Sequence, residues 1–246
     1  MLEKGMRAPR LASVLAGACV LAAGCTTTVD GTAVDRAPAA VSGPVRALDA
    51  VLPTADELSS VLGIAPTGLM GQLVAGGADT LLRGVDRAEA TPVECVSTTY
   101  RLQQAVYGAS SVRSVASRSW AAGSVDGPAL SGFFGAVQLA SPAEAQAFFA
   151  AAAQDWRECD GQTMRLRRGS ASERSRITEV RVDERVVSAV VVHEAGQGSG
   201  MPIQRALGVA GDSIVDVEIT DIAGARSAGA GAAVDVAALM LEKLTG

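Results

Sequence analysis

Histidine and large aromatic residues are scarce in this chain of 246 residues. It contains one histidine, His193, together with two tryptophans, two tyrosines and four phenylalanines. A single histidine excludes the usual zinc site built from several histidines and cysteines. A serine hydrolase of the nucleophile-elbow type is also excluded, because no G-x-S-x-G segment occurs. His193 ends an apolar run, which predicts a strand residue near a sheet edge rather than a catalytic base.

Apolar runs long enough to cross a membrane as a helix are also missing. The longest run near the start, Leu11–Ala23, has about 13 residues against the roughly 20 that a spanning helix needs. It follows Lys4, Arg7 and Arg10, which is the layout of a secretion signal. The run leads into Leu21–Cys25, which resembles a bacterial lipobox. This resemblance implies cleavage before Cys25 and lipid on its thiol, whereas an uncleaved core or membrane helix is the alternative.

Three segments follow from this interpretation. Residues 1–24 are the signal peptide, residues 25–46 form a lipidated flexible tether, and residues 47–246 form one folded domain. The tether is rich in Thr, Ala, Pro, Gly and Ser and has no apolar period, so it cannot offset the entropy of ordering. The predicted location is the extracytoplasmic face of the cell membrane, with the membrane as partner through the lipid anchor.

Charge argues against a nucleic-acid partner. The formal net charge of −5 becomes −7 when residues 1–24 are removed, because three basic residues and one acidic residue leave with them. Nucleic-acid binding requires a clustered basic surface, which this composition does not provide.

Four cysteines divide into three roles. Cys19 leaves with the signal and Cys25 carries lipid, so Cys95 and Cys159 remain in an oxidising compartment. Thiols in such a compartment usually pair, which predicts one disulfide. Two free buried thiols are the alternative.

Helix and strand signals predict an α+β fold. Thr54 and Glu57 form a capping box, and Ser141-Pro142-Ala143-Glu144 combines an N-cap serine with a proline in the first turn. Further helices are predicted from Cys95 to about Tyr107 and from about Ala232 to Leu244. The predicted strands cover residues 112–121, 133–139, 163–168, 177–182, 185–193, 202–209 and 213–220. This order indicates a central, largely antiparallel sheet with packed helices.

Several segments together resemble the PknH-like extracellular domain family, over residues 47–245. These segments are Leu52–Leu58, Pro92–Val96, Ser141–Phe148, Trp156–Gly161, Gln204–Leu207 and Ile214–Val217. The family is the sensor module outside an actinobacterial Ser/Thr kinase and also occurs as stand-alone lipoproteins. The resemblance implies an α+β domain with a central antiparallel sheet, a cleft proposed to bind an extracellular ligand, and a Cys95–Cys159 disulfide. Members often have a further cysteine where this chain has Ile203, so a second disulfide is not expected.

The function expected is a non-catalytic, ligand-binding or sensor-like domain of a cell-envelope lipoprotein. No catalytic residue, metal or cofactor is predicted. One alternative is a small envelope enzyme that uses surface carboxylates, for which Asp216 and Glu218 are candidates on one sheet face. Another alternative is a passive scaffold that contacts only proteins, which predicts no sizeable apolar cleft.

The small number of large aromatic residues limits the candidates for a ligand-binding site. Small-molecule pockets are mostly apolar with a few placed polar groups, and few large aromatic residues are available. The candidates are Tyr100, Tyr107, Trp120, Trp156 and Arg205. The alternative is that Tyr107 and Trp156 pack in the core while Arg205 pairs with a carboxylate such as Asp216 or Glu218.

Overall fold

Ten strands in the described part of the chain form one sheet in which every neighbouring pair is antiparallel. The computed structural model describes residues 44–64, 68–124, 127–194, 200–222 and 229–246. The predicted signal peptide, Cys25 and residues 25–43 of the tether lie outside the described residues. The strands are β1 (Leu69–Met70), β2 (Val74–Gly76), β3 (Ala90–Thr91), β4 (Ser114–Ser124), β5 (Gly127–Gln138), β6 (Thr163–Arg168), β7 (Ala171–Val182), β8 (Val186–Glu194), β9 (Pro202–Ala210) and β10 (Ser213–Asp221).

The strand order is β1-β4-β5-β10-β9-β8-β7-β6-β3, and β2 also pairs with β4. The two longest strands of the first half, β4 and β5, are neighbours, and β10 inserts between β5 and β9. In the β5–β10 pair, Val137 lies opposite Ile214. The centre of the sheet is therefore assembled from both halves of the chain.

Helices cover both faces of the sheet. They are α1 (Ala55–Leu62), α2 (Val96–Thr99), α3 (Gln104–Tyr107), α4 (Pro142–Cys159) and α5 (Gly231–Thr245). We call the two sides the α4 face, which carries Val115 and Ile214, and the α5 face, which carries Ala116 and Val215. Alternate strand residues point to opposite faces, so each strand contributes to two separate hydrophobic cores. The predicted α+β architecture is confirmed.

Helix α4 begins where the sequence predicted. The Ser141 side chain accepts a hydrogen bond from the Glu144 backbone N–H at 3.2 Å, and Pro142 lies in the first turn. Its buried residues follow a helical stripe that faces the sheet, namely Ala145, Phe149, Ala152, Ala153, Trp156 and Cys159. The capping box of α1 is also present, since Thr54 and Glu57 exchange both hydrogen bonds.

The single helix predicted from Cys95 to Tyr107 is wrong. The chain forms α2 and α3 instead, and residues 100–103 between them leave the helical path. Leu102 has a φ of 45°, and its N–H donates to the Asp216 carboxylate at 2.8 Å. The Gln104 N–H donates to the Leu82 carbonyl at 2.7 Å. Contacts with distant residues therefore override the local helical tendency.

Three strand predictions also need correction. Strand β5 starts at Gly127 rather than Phe133. Strand β7 starts at Ala171 rather than Ile177, because Gly169 adopts a positive φ of 60° and turns the chain directly from β6 into β7. His193 lies on a strand as predicted, but β8 is an interior strand rather than a sheet edge. A tight turn at Gly211-Asp212 joins β9 to β10, with Gly211 at a φ of 56°.

The predicted disulfide between Cys95 and Cys159 is present. Both cysteines are buried, and their Cα atoms are 5.7 Å apart. The bond joins the residue before α2 to the last residue of α4. The segment that leads into residues 100–103 is therefore anchored covalently to the longest helix.

Replacing both cysteines by alanine should lower the free energy of unfolding by about 2–5 kcal/mol. The bridge spans 64 residues of sequence, and its loss increases the conformational freedom of the unfolded chain. Urea unfolding followed by tryptophan fluorescence measures the change, with dithiothreitol-treated native protein as a matched sample. Thiol labelling of Cys95 and Cys159 without reductant, together with no effect of reduction, would contradict the prediction.

Candidate functional site

A buried ion pair lies on the α4 face near the centre of the sheet. Arg205 on β9 is fully buried, and its Nη2 lies 2.9 Å from Oδ1 of Asp216 on β10. The same Nη2 donates to the Ser97 carbonyl oxygen at 3.2 Å, and Nη1 lies 3.4 Å from Oε2 of Glu218. The Arg205 guanidinium therefore connects β9 and β10 to helix α2.

Asp216 holds the chain on the opposite side of this pair. Its Oδ2 accepts hydrogen bonds from the Leu102 N–H at 2.8 Å and from the Tyr107 hydroxyl at 3.2 Å. Burial raises the pKa of Asp216, and the Arg205 charge opposes this effect. Burial and the nearby Asp216 raise the pKa of Tyr107 well above its usual range, so this phenol acts as a donor. The Asp216 carboxylate therefore has a structural role, because it accepts hydrogen bonds from Arg205, the Leu102 N–H and the Tyr107 hydroxyl.

Arg101 continues the network towards solvent. Its Nη1 donates to Oε1 of Glu218 at 2.6 Å, and its guanidinium lies over the Phe133 ring at 4.2 Å from the centroid. Side-chain exposure is 32% for Arg101 and 14% for Glu218. These groups therefore form the accessible end of a row of charges that begins at the fully buried Arg205.

A cleft of about 390 Å³, which we call the sheet cleft, opens beside Arg101. Strands β4, β5 and β10 provide its floor, and β1 provides a wall with the exposed Leu69. Cross-strand register places Phe133 beside Glu218 in one row, and Ser131 beside Thr220 in the next. With Ser119 of β4, the floor thus combines an aromatic ring, three hydroxyls and a salt-bridged carboxylate.

Three of the five predicted ligand residues come together, but inside the core. Trp156 and Tyr107 are buried, Arg205 lies 5.9 Å from the Trp156 ring centroid, and the Trp156 indole N–H donates to Ser97 Oγ at 3.1 Å. Arg205 pairs with Asp216 and Glu218, as the alternative interpretation expected. These side chains lie in the core of the α4 face and do not line the sheet cleft.

The other two candidates lie in different places. Tyr100 is half-buried at the start of residues 100–103, where its hydroxyl donates to Oε1 of Glu173 at 2.8 Å. Trp120 borders the sheet cleft, but its indole packs in the core of the α5 face. Because alternate strand residues point to opposite faces, Trp120 faces away from its neighbours Ser119 and Ala121.

Arg101, Phe133 and Glu218 form the accessible part of the site. Sequence patterns did not predict Arg101 or Phe133 as ligand-binding residues. Arg101 lies within the predicted helix from Cys95 to Tyr107. Nothing in the neighbouring sequence indicates that its side chain lines a cleft. Phe133 was assigned only to an apolar strand. The predicted sharing of one face by Asp216 and Glu218 is present, but Asp216 is 2% exposed and does not lie on a solvated surface.

His193 belongs to a second polar group on β7 and β8. Its Nδ1 lies 2.8 Å from Ser175 Oγ and 3.0 Å from Oε1 of Glu173, and its ring stacks on Tyr100 at 5.6 Å. Burial lowers the pKa of His193, although the Glu173 charge opposes the effect. A hydrolytic triad has its nucleophile at Nε2 and its acid at Nδ1. Here both partners share Nδ1, so this arrangement is not a triad.

Metal ligands are not grouped in the described part of the chain. No set of three His, Cys, Asp or Glu side chains that could hold a metal ion occurs among these residues. Among the described helices, none is long and apolar enough to cross a membrane.

The chain belongs to the PknH-like extracellular domain family, whose profile matches residues 44–243. It is similar in structure to the extracellular domain of PknH from Mycobacterium tuberculosis, with 20% sequence identity and a TM-score of 0.66. That similarity covers 83% of this chain and 97% of the other. An uncharacterised protein from Mycobacterium smegmatis is a more distant match, with 10% identity and a TM-score of 0.41 over 82% of this chain and 97% of the other. No curated protein matches the chain at a significant level.

Removing one partner of the buried ion pair should destabilise the domain strongly. Arg205→Met should lower the free energy of unfolding by about 3–5 kcal/mol, because it leaves Asp216 buried without a charge partner. Asp216→Asn should cost less, because Arg205 keeps Glu218 at 3.4 Å from Nη1. The double variant should lose less than the sum of the two single effects. Chemical denaturation of the four proteins measures this difference.

Arg174→Met is the matched control, since Arg174 pairs with Glu194 at 3.4 Å in an exposed position. Its loss should cost less than about 1 kcal/mol. Strict additivity of the Arg205 and Asp216 effects would show that the two groups do not stabilise each other.

Proposed function

We propose that this chain is a lipid-anchored cell-envelope protein whose PknH-like domain binds an extracellular ligand in the sheet cleft without catalysis. The observation that carries the proposal is the accessible Arg101–Glu218 pair at the cleft, fixed from behind by the buried Arg205. Preorganised polar groups beside apolar surface are the usual composition of a ligand site. The cleft volume of about 390 Å³ is within the roughly 300–1,000 Å³ typical of such sites.

The state of the carboxylates favours binding over catalysis. Asp216 accepts from Arg205, Leu102 and Tyr107, and Glu218 contacts two guanidinium groups. A general base needs a free lone pair within reach of the proton that it removes. Asp216 is buried with its described donors already in place, and Glu218 is held by two cations, which supports a positioning role for both.

The anchor in this proposal rests on the sequence alone. A thiol-linked diacyl group on Cys25 would hold the domain at the membrane, since two acyl chains anchor stably where one does not. The sheet cleft, with Phe133 and Leu69 among its lining residues, supports a ligand-binding role over the scaffold alternative, which predicts no sizeable apolar cleft.

Filling the cleft should abolish ligand retention. Ala121 lies on the cleft side of β4, so Ala121→Phe places a ring in the binding space. Ala171→Phe, at the exposed start of β7, is the matched control. Native mass spectrometry of protein extracted from its own envelope should show a co-purifying molecule on the native and control proteins and none on Ala121→Phe.

Two outcomes of that experiment would count against the proposal. Equal retention by both variants would place the ligand elsewhere. Turnover in a broad hydrolase screen that Glu218→Gln abolishes while the fold is retained would favour the carboxylate enzyme instead.

Cys25→Ala should prevent lipidation and processing. The variant is expected to keep residues 1–24 and to lose partitioning into the detergent phase of a Triton X-114 extraction. Intact mass and phase separation measure both effects, and Cys19→Ala is the control because that cysteine leaves with the signal. Normal trimming and partitioning of Cys25→Ala would overturn the anchor.

A further inference from the structure

A second cleft lies on the same side of the sheet, between α4 and the segments that precede α2 and follow α3. Its volume is about 450 Å³, and its lining includes residues from Val93 to Ser97, from α3 and the turn after it, and from one face of α4. We call it the helix cleft. We propose that the helix cleft binds a small amphipathic cation, which consists of an apolar body with one ammonium group.

The apolar wall of the helix cleft comes from Val93, Val106 and Phe148, all partly buried. The Phe148 ring stacks on the buried Tyr107 ring with centroids 4.8 Å apart, which fixes its position. Ala151 on the next turn of α4 is exposed and small, so it leaves room above the ring. This wall suits a flat apolar group of modest size.

Two carboxylates lie in the same lining. Glu94 is exposed and Asp155 is half-buried, and neither makes a hydrogen bond or ion pair with the described residues. Burial raises the pKa of Asp155, the negative charges of Glu158 and Glu94 add to this effect, and the Arg87 charge opposes it. These are therefore acceptors that a bound cation can satisfy.

Arg87 is the one cation among the described lining residues. Its Nη1 donates to the Ala105 carbonyl oxygen at 3.0 Å, and no ion pair joins it to Glu94 or Asp155 in the described structure. The two carboxylates outweigh this single positive charge. Charge complementarity therefore selects a cationic ligand, and the apolar wall selects one with a hydrophobic body.

The chemistry of the helix cleft differs from that of the sheet cleft. In the sheet cleft the charges are paired with each other, through Arg101 and Glu218. In the helix cleft, Glu94 and Asp155 form no ion pair with the described residues. Binding of a cation here is independent of the proposed function, and its failure would leave that proposal unaffected.

Three probes with the same indole body and different charge test the proposal. They are tryptamine (positive), tryptophol (neutral) and indole-3-propionate (negative), titrated into the 15N-labelled domain at pH 7 and low salt. Amide shifts around Val106 and Ala151 locate the site and give the dissociation constants. We expect tryptamine to bind at least about threefold more tightly than tryptophol, which corresponds to one partly exposed ion pair, and indole-3-propionate to bind most weakly.

Variants separate the two parts of the recognition. Asp155→Asn should remove the preference for tryptamine over tryptophol while tryptophol binding stays within twofold. Ala151→Leu should weaken both by tenfold or more because the side chain fills the space over Phe148. The controls are Glu242→Gln, which removes a carboxylate from α5, and Ala150→Leu, which adds the same bulk to an exposed position of α4 outside the cleft.

The proposal fails if the three probes bind equally, if the anion binds best, or if no amide of the helix cleft shifts with any probe. It also fails if Glu242→Gln reduces the charge preference as much as Asp155→Asn does.

Discussion

The buried guanidinium of Arg205 imposes the constraint on which this domain depends. A charge removed from water is costly unless opposite charge and hydrogen-bond acceptors surround it. The fold satisfies this requirement with Asp216 on the next strand, Glu218 two residues further on, and the Ser97 carbonyl oxygen. Two of these acceptors lie on β10 and the third lies in α2, so packing around the Arg205 side chain fixes β9, β10 and α2 relative to one another.

The same constraint positions both clefts. On one side, Glu218 holds Arg101 at the floor of the sheet cleft, and Asp216 holds the Leu102 N–H so that the loop cannot relax into a helix. On the other side, Ser97 lines the helix cleft while its carbonyl accepts from Arg205. The accessible groups therefore owe their geometry in part to a side chain that is fully buried. This division between a rigid buried support and an exposed polar group is typical of preorganised sites.

Local signals were sufficient for the long helices α4 and α5 and for the alternation along the long strands, but insufficient for the break between α2 and α3 and for the site. Ser141 and Pro142 mark the start of α4 because capping is a short-range interaction, and strand alternation assigns Asp216 and Glu218 to one face because the period of two is local. The break at Leu102 depends on a carboxylate more than a hundred residues away, which no window of sequence contains. For the same reason Arg101 was hidden in a predicted helix. Scarcity of aromatic residues also says nothing about which face a strand residue occupies, so it could not place the Trp120 indole in the core of the α5 face.

The position of β10 between β5 and β9 has a consequence for the kinetics of folding. Pairing Val137 with Ile214 closes a loop that contains α4 and four further strands, and the entropy of that closure must be offset before the central contacts form. The hairpins β6–β7 and β9–β10 are local and can form early. The centre of the sheet forms only when β10, the last strand in the chain, pairs with β5. Folding of such a domain is slow relative to a helical protein of equal length, and apolar strand edges stay exposed during that interval. Under the proposed export of this chain, the period of greatest vulnerability to aggregation and proteolysis therefore falls outside the cytoplasm.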